Sequence, residues 1–195
     1  MTTTIKLLCA AWIAASLLMS GCNDTPKPNV AKAGASAVSV AAVAAGATGF
    51  VVGAPMSART VYVFFDSQCS HCGALWYAAK PLTSQAKFVW IPVGLLNSAS
   101  TSQGAALLAA ADPAAAMDAH EASMLAKGGG IGGLDATDAQ KALVAKNTAL
   151  LNSFGFGSIP TIVGTHAQTG ALVTQEGALP TAALATFLGL QPPSP

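Results

Sequence analysis

The densest apolar run in the body of the chain is Val61-Tyr62-Val63-Phe64-Phe65. Its residues are all β-branched or aromatic, which predicts a strand buried on both faces. Asp66-Ser67-Gln68 interrupts the run, and Cys69-Ser70-His71-Cys72 then opens a segment, 73–80, that reads as helix until Pro81 ends or kinks it. A second strong strand follows at Lys87-Phe88-Val89-Trp90-Ile91-Pro92-Val93, with Pro92 marking its exit or an edge position. Residues 49–55 predict a short edge strand and turn. The Ala/Leu-rich block 103–126 predicts two helices separated near Asp112-Pro113, and the glycines of 128–133 a flexible loop.

Residues 137–154 form the best-marked helix. Thr137 and Gln140 have capping-box spacing, and the pairs Leu143-Val144 and Leu150-Leu151 recur two turns apart. Ile159-Pro160-Thr161-Ile162-Val163-Gly164 predicts a strand with a proline at its entry. Residues 171–175 supply its hairpin partner and 181–190 a closing helix. The order predicts an α/β fold: a mixed sheet with helices on both faces and a helical insertion at about 98–134.

The first 21 residues carry one lysine, Lys6, before an apolar run ending at Met19, the layout of a secretory signal peptide too short to span a bilayer comfortably. Leu18-Met19-Ser20-Gly21-Cys22 resembles a bacterial lipoprotein box, with Met19 where the motif usually has Leu. Cleavage before Cys22 and its lipidation would anchor the protein to a membrane without spanning it; the alternative is an ordinary cleaved signal with an incidental cysteine. Residues 22–48, rich in Pro, Ala, Ser and Gly, read as the lipidated cysteine and a flexible tether, with the run 37–45 left open between helix and strand, leaving 49–195 as the folded domain.

Composition narrows the chemistry. Apolar residues make up 52% of the chain and charged ones only 9%, with a net charge of +1 and no basic cluster, so nucleic acid is not an expected partner. The four cysteines are Cys9 in the leader, Cys22, Cys69 and Cys72. A disulfide framework needs more pairs, and a structural zinc site needs a second Cys-x-x-Cys or a His pair at knuckle spacing. Haem attachment fails because Gly73, not His, follows Cys72. The glycine run at 128–133 has no preceding strand and no Lys-Ser/Thr after it, so it is not a phosphate loop.

A buried strand running into Cys-x-x-Cys at a helix N-terminus is a redox arrangement. Free backbone N–H groups and the helix dipole stabilise a thiolate at Cys69, exposed and nucleophilic, while Cys72 faces inward to resolve the mixed disulfide. The redox pair itself is the only cofactor expected. His71, beside Cys69, lowers its pKa when charged and makes the disulfide more oxidising; its alternative is an idle surface residue. His120 and His166 are expected at the surface with no role. Asp66 is expected to cap the turn after the strand, with proton transfer for Cys72 the lesser alternative.

Taken together, these blocks resemble the thioredoxin-fold catalytic domain of the periplasmic disulfide isomerases of the DsbG/DsbC type. The resemblance covers about 49–190. It rests on Val61 to Asp66 with Cys69-Ser70-His71-Cys72, on Trp90-Ile91-Pro92-Val93, on the Ala-rich insert around Asp112-Pro113, and on Ser158-Ile159-Pro160-Thr161. It implies that Pro160 is a cis-proline against the cysteine pair and that the Ile159 backbone pairs with extended substrate. Ser70, His71 and Ile159 would then tune potential and substrate choice. The family usually has Tyr at the position of His71 and Thr at that of Ile159, and His71 instead resembles the Cys-Pro-His-Cys of the oxidase DsbA. The direction of electron flow is therefore open. Residues 23–48 are too short for the family's N-terminal dimerisation domain, so a monomer is expected.

The resemblance implies a lipid-anchored thiol–disulfide oxidoreductase of the periplasm. Its partners would be cysteine-containing envelope proteins and a membrane or periplasmic redox partner. The alternative is a metal-handling lipoprotein that holds Cu(I) with Cys69, Cys72 and a histidine.

Overall fold

A computed structural model of the chain describes residues 35–193, so the leader and the lipidation at Cys22 lie outside the described residues. Five strands, β1 (Phe50–Gly53), β2 (Thr60–Asp66), β3 (Lys87–Val93), β4 (Thr161–Thr165) and β5 (Leu172–Glu176), form one sheet in the order β1-β3-β2-β4-β5. Central β2 runs parallel to β3 and antiparallel to β4. The outer pairs, β1 with β3 and β4 with β5, are antiparallel. The sheet is mixed, as the residue pattern predicts.

Among the described residues six α-helices accompany it: α1 (Val40–Gly46), α2 (Ser70–Ala79), α3 (Ser98–Ala109), α4 (Pro113–Leu125), α5 (Asp138–Ser153) and α6 (Thr181–Leu188). Alternate side chains of β2 divide between two cores, as a period of two demands. Val61, Val63 and Phe65 join one with α2, α6 and Met117 of α4. Phe64 joins the other with Val43 of α1 and Leu151 of α5. Helix α2 is seated by aromatic edges: Trp76 meets Trp90 at 5.0 Å between centroids, and Phe65 meets Trp90 at 5.7 Å. Such pairs contribute about 0.5–1.5 kcal/mol each beyond the area they bury.

Local signals fix the helix ends. Thr137 and Gln140 form the reciprocal capping box, Asp112 caps α4 with Pro113 in its first turn, and Gly189 closes α6 in the left-handed conformation. Pro81 sits in a single 3-10 turn, Lys80–Leu82, that ends α2.

The run 37–45, left open between helix and strand at the end of the tether, is largely helical: Ser39 caps α1, whose Val43 is fully buried. Packing against α5 and β4 decides this helix, because its seven residues carry no charge and are too few to be helical alone. Pro92 is the penultimate residue of β3 and lies past the stretch that pairs with β1, so it stands near the exit and at a locally unpaired edge, as its sequence position predicts. It is tolerated because β1 pairs only with Lys87 to Trp90, so no β1 carbonyl awaits an N–H from Pro92.

Asn147 of α5 takes over where β1 stops. Its amide donates to the carbonyls of Thr48 and Pro92, and its oxygen accepts from Thr48 N–H. Asn147 is fully buried. Replacing it with Ala strands these backbone groups and is expected to cost about 2–4 kcal/mol. Urea denaturation checks this; a loss under about 0.5 kcal/mol shows that the site has repaired itself with water.

Candidate active site

The site forms where β2 ends. Asp66 is fully buried and accepts three backbone N–H groups: Gln68 through Oδ1 at 2.9 Å, and Leu95 and Leu96 through Oδ2 at 2.7 and 3.0 Å. It caps the turn, as expected, and also fixes the chain leaving β3. Cys69 is the N-cap of α2, its carbonyl accepting from the N–H groups of Cys72 and Gly73. The antiparallel pairing of Phe64 with Thr161 sets the preceding residues, Ile159 and Pro160, beside that end of β2. The Ile159–Pro160 peptide is cis, and the Cys69 thiol points at the Ile159 carbonyl at 4.0 Å.

Both cysteines are thiols. Cys72 is completely buried and Cys69 only 9% exposed, so the expectation of an open nucleophile is corrected. A carbonyl contributed from 90 residues away covers it, and nothing in the local sequence announces that neighbour. Ser70 and His71 are exposed on the first turn, Ile159 is half-buried and Pro160 buried.

The two thiols titrate far apart. The Cys72 thiol, by donating to the Cys69 sulfur, holds Cys69 down at about 6. Burial opposes this, while the backbone N–H groups of Cys72 and His71 and the His71 charge assist. Burial drives Cys72 strongly the other way, with the Cys69 thiolate and the Asp66 carboxylate adding to it. Cys69 is therefore largely thiolate at neutral pH, and Cys72 keeps its proton.

The insert wraps the turn that carries these groups. The expectation that His120 is a surface residue is wrong: it is fully buried on α4, with Nε2 2.7 Å from the Ser67 carbonyl and Nδ1 3.1 Å from Ile131 N–H. Because Ile131 donates to Nδ1, the ring hydrogen must sit on Nε2, where it is given to Ser67. Beside it, Gln103 of α3 donates to the carbonyls of Gly129 and Ile131 and accepts from Gln68. The glycine loop, expected to be flexible, is thus tied to the redox turn. Its Gly130 has φ +89°, and a Cβ there would strike the His120 ring.

Sequence reasoning also missed Glu121. It is 3% exposed on α4, and its Oε1 is the one buried side-chain polar atom without a partner among the described residues. Burial pushes the Glu121 carboxyl up to about 7, and the Cys69 charge adds to this. No spacing rule flags it, since it follows another buried polar residue on an Ala-rich helix. Among the described residues no three His, Cys, Asp or Glu side chains cluster in a metal-holding group, and His166 lies half-buried on the hairpin side of the sheet.

Burial lowers the pKa of His120 below the ordinary imidazole value of 6.5, with the Ser67 bond partly opposing. The unfolded chain then binds the proton more readily, so stability is complete above pH 6.5 and falls on acidification below it. Urea midpoints between pH 5 and 8 check this: wild type is expected to lose stability below about 6.5, and His120→Gln to lose that part of the slope. Equal slopes would remove His120 from the account.

No family model matches the chain. It is 33% identical over 134 residues to the thiol:disulfide interchange protein DsbG of Pseudomonas aeruginosa, covering 67% of this chain and 51% of that protein. The chain thus spans about half the length of this curated relative. The fold is similar to the catalytic domain of Proteus mirabilis ScsC (TM-score 0.58, 17% identity, 76% of this chain and 96% of that one). It is also similar to a periplasmic thioredoxin-like protein of Salmonella enterica serovar Typhimurium (TM-score 0.60, 15% identity, 79% and 97%). The fold is thioredoxin-like, with the helical insertion between β3 and α5.

Proposed function

Starting from a thioredoxin-fold domain similar to DsbG in sequence and to the ScsC catalytic domain in fold, we propose that this protein is a thiol–disulfide oxidoreductase of the cell envelope. The observation that carries the reading is the unequal pair: a thiolate at Cys69, held at about 6, next to a fully buried Cys72 thiol held protonated.

In the reducing direction, Cys69 thiolate attacks a substrate disulfide. A Cys69–substrate S–S bond forms and the second substrate sulfur leaves as thiolate. Cys72 then loses its proton and attacks Cys69, closing the Cys69–Cys72 disulfide and releasing the substrate as a dithiol. The oxidising direction reverses each step. The low pKa of Cys69 stabilises the reduced form and so favours donating a disulfide. Ser70, His71 and the Ile159 backbone border the Cys69 sulfur and are the surfaces a substrate chain meets. Clients are cysteine-containing envelope proteins, recycled by a membrane or periplasmic redox partner. The chain works as a monomer, tethered to a membrane through lipidated Cys22.

Cys72→Ser is expected to accumulate mixed disulfides with a disulfide-bonded peptide, and Cys69→Ser to form none; trapping by neither variant overturns the exchange mechanism. Alkylation of the reduced protein should be half-maximal near pH 6, moving upward in His71→Ala. A midpoint near that of an ordinary thiol removes the thiolate. For the anchor, metabolic labelling with a lipid analogue should mark the full chain and fail in Cys22→Ser.

A further inference from the structure

The redox pair is flanked by two buried carboxyl groups in opposite circumstances. Both oxygens of Asp66 are taken by backbone N–H groups at the end of β2. Glu121 has no such partners: its Oε1 is buried and unbonded, although an unpaired buried polar atom is costly. It lies against the redox helix itself. An ideal Cβ placed on Gly73, the residue after Cys72, would come within 2.1 Å of Glu121 Oε2, so the carboxyl occupies the space that a side chain at 73 would need. Its neighbour His120 bonds the Ser67 carbonyl and Trp76 of α2 donates to Asp118, two clamps that hold this part of α4 against the redox turn.

We propose that Glu121 is the proton store of the redox pair, holding a proton while Cys69 is thiolate and releasing it when Cys69 is tied in the disulfide. This deepens the oxidoreductase reading and rests on it. The balance follows from the unequal thiols. A substrate dithiol that reduces the Cys69–Cys72 bond delivers two electrons and two protons as its own S–S bond forms. Cys72 takes one proton. Cys69 stays a thiolate, and its new negative charge beside the Glu121 carboxylate draws the second proton onto Glu121. Reoxidation removes the charge on Cys69, and the proton leaves. Glu121 acts on Cys69 through its charge, as a positioning residue rather than by bonding to the reacting sulfurs.

Other titratable groups around Glu121 do not duplicate this role. The redox helix contributes Cys69, Cys72, exposed His71 and, at its far end, Lys80, which pairs with Asp118 of α4. Helix α3 and strand β1, packed against α4, carry no charged side chain. His120 has both ring nitrogens engaged. The segment after α4 adds Lys127 and Asp135, both exposed. The buried Glu121 carboxyl, raised to about 7, is the group beside Cys69 able to load and unload near neutral pH.

The test is the equilibrium of the full protein with glutathione buffers between pH 5.5 and 8.5, in wild type, Glu121→Gln and Gly73→Ala, whose added methyl displaces the carboxyl while keeping it. Wild type is expected to take up more than one proton per two electrons around pH 7, approaching one at pH 8.5. Glu121→Gln is expected to hold at one from pH 7 upward. At pH 8 it should favour the reduced form about tenfold more than wild type, with under twofold difference at pH 5.5. Gly73→Ala should show the same loss of proton uptake, and serves alone if Glu121→Gln does not fold. Equal proton counts and ratios across the folded proteins overturn the role of Glu121 while leaving the redox reading intact. Absence of a Cys69–Cys72 disulfide in wild type overturns both.

Discussion

Three backbone N–H groups converge on the buried carboxylate of Asp66, and the positions of the remaining site elements depend on that convergence. Strands β2 and β3 run parallel, so their C-terminal ends leave the sheet side by side with backbone groups that no further strand can satisfy. One carboxylate collects donors from both exits, Gln68 after β2 and Leu95 and Leu96 after β3. Hydrogen bonds to a carboxylate are among the stronger ones available to backbone N–H groups. With the turn fixed, Cys69 falls at the N-cap of α2, where the backbone N–H groups of His71 and Cys72 favour its thiolate. The antiparallel β4 then brings Ile159 across the same edge.

The insertion closes the other side. Gln103 and His120 bond to backbone carbonyls of the glycine loop and of the redox turn, so neither α3 nor α4 can move without breaking buried polar contacts. A buried imidazole with a donor on one nitrogen and an acceptor on the other is matched only in its neutral form and one tautomer. The network is therefore specific as well as costly to disrupt, since each partner lost leaves a buried group unpaired. The insert is part of the wall around the cysteine pair.

What the sequence disclosed divides along physical lines. Strands of a parallel core read as unbroken apolar runs, so Val61 to Phe65 and the strand around Trp90 were legible from composition alone. So were the boundaries with local chemistry: the Thr137–Gln140 box, Asp112-Pro113 and the break at Pro81. Features decided by distant packing were not. Helix α1 has no amphipathic pattern and is placed by Val43 reaching the core. Cys69 is covered by a carbonyl 90 positions away. Helix α4 buries Met117, His120 and Glu121 together, so its inward face is partly polar and hydrophobic periodicity points nowhere. Pattern reading assigns such histidines and carboxylates to the surface; it fails for His120 because its partners are backbone groups of two distant loops, Ser67 and Ile131, and for Glu121 because the carboxyl is buried with no partner on Oε1.

The same inversion explains why the two acids of the site differ. A carboxylate built into a turn is stabilised by the donors the turn leaves over, and Asp66 has all it can use. A carboxyl placed on an insert against a finished helix finds the backbone donors of that helix already engaged. Glu121 stands where Gly73 leaves room but offers no bond. An acid in that position gains most from a proton when a neighbouring charge is negative, and Cys69, whose charge acts on Glu121, is negative only in the reduced state. The Cys72 thiol, the backbone N–H groups of the first turn and the His71 charge stabilise the Cys69 thiolate, and burial opposes them. The proposed role of Glu121 adds to that balance from the insert, outside the thioredoxin-like core, so the same cysteine pair answers to two separately built parts of the fold.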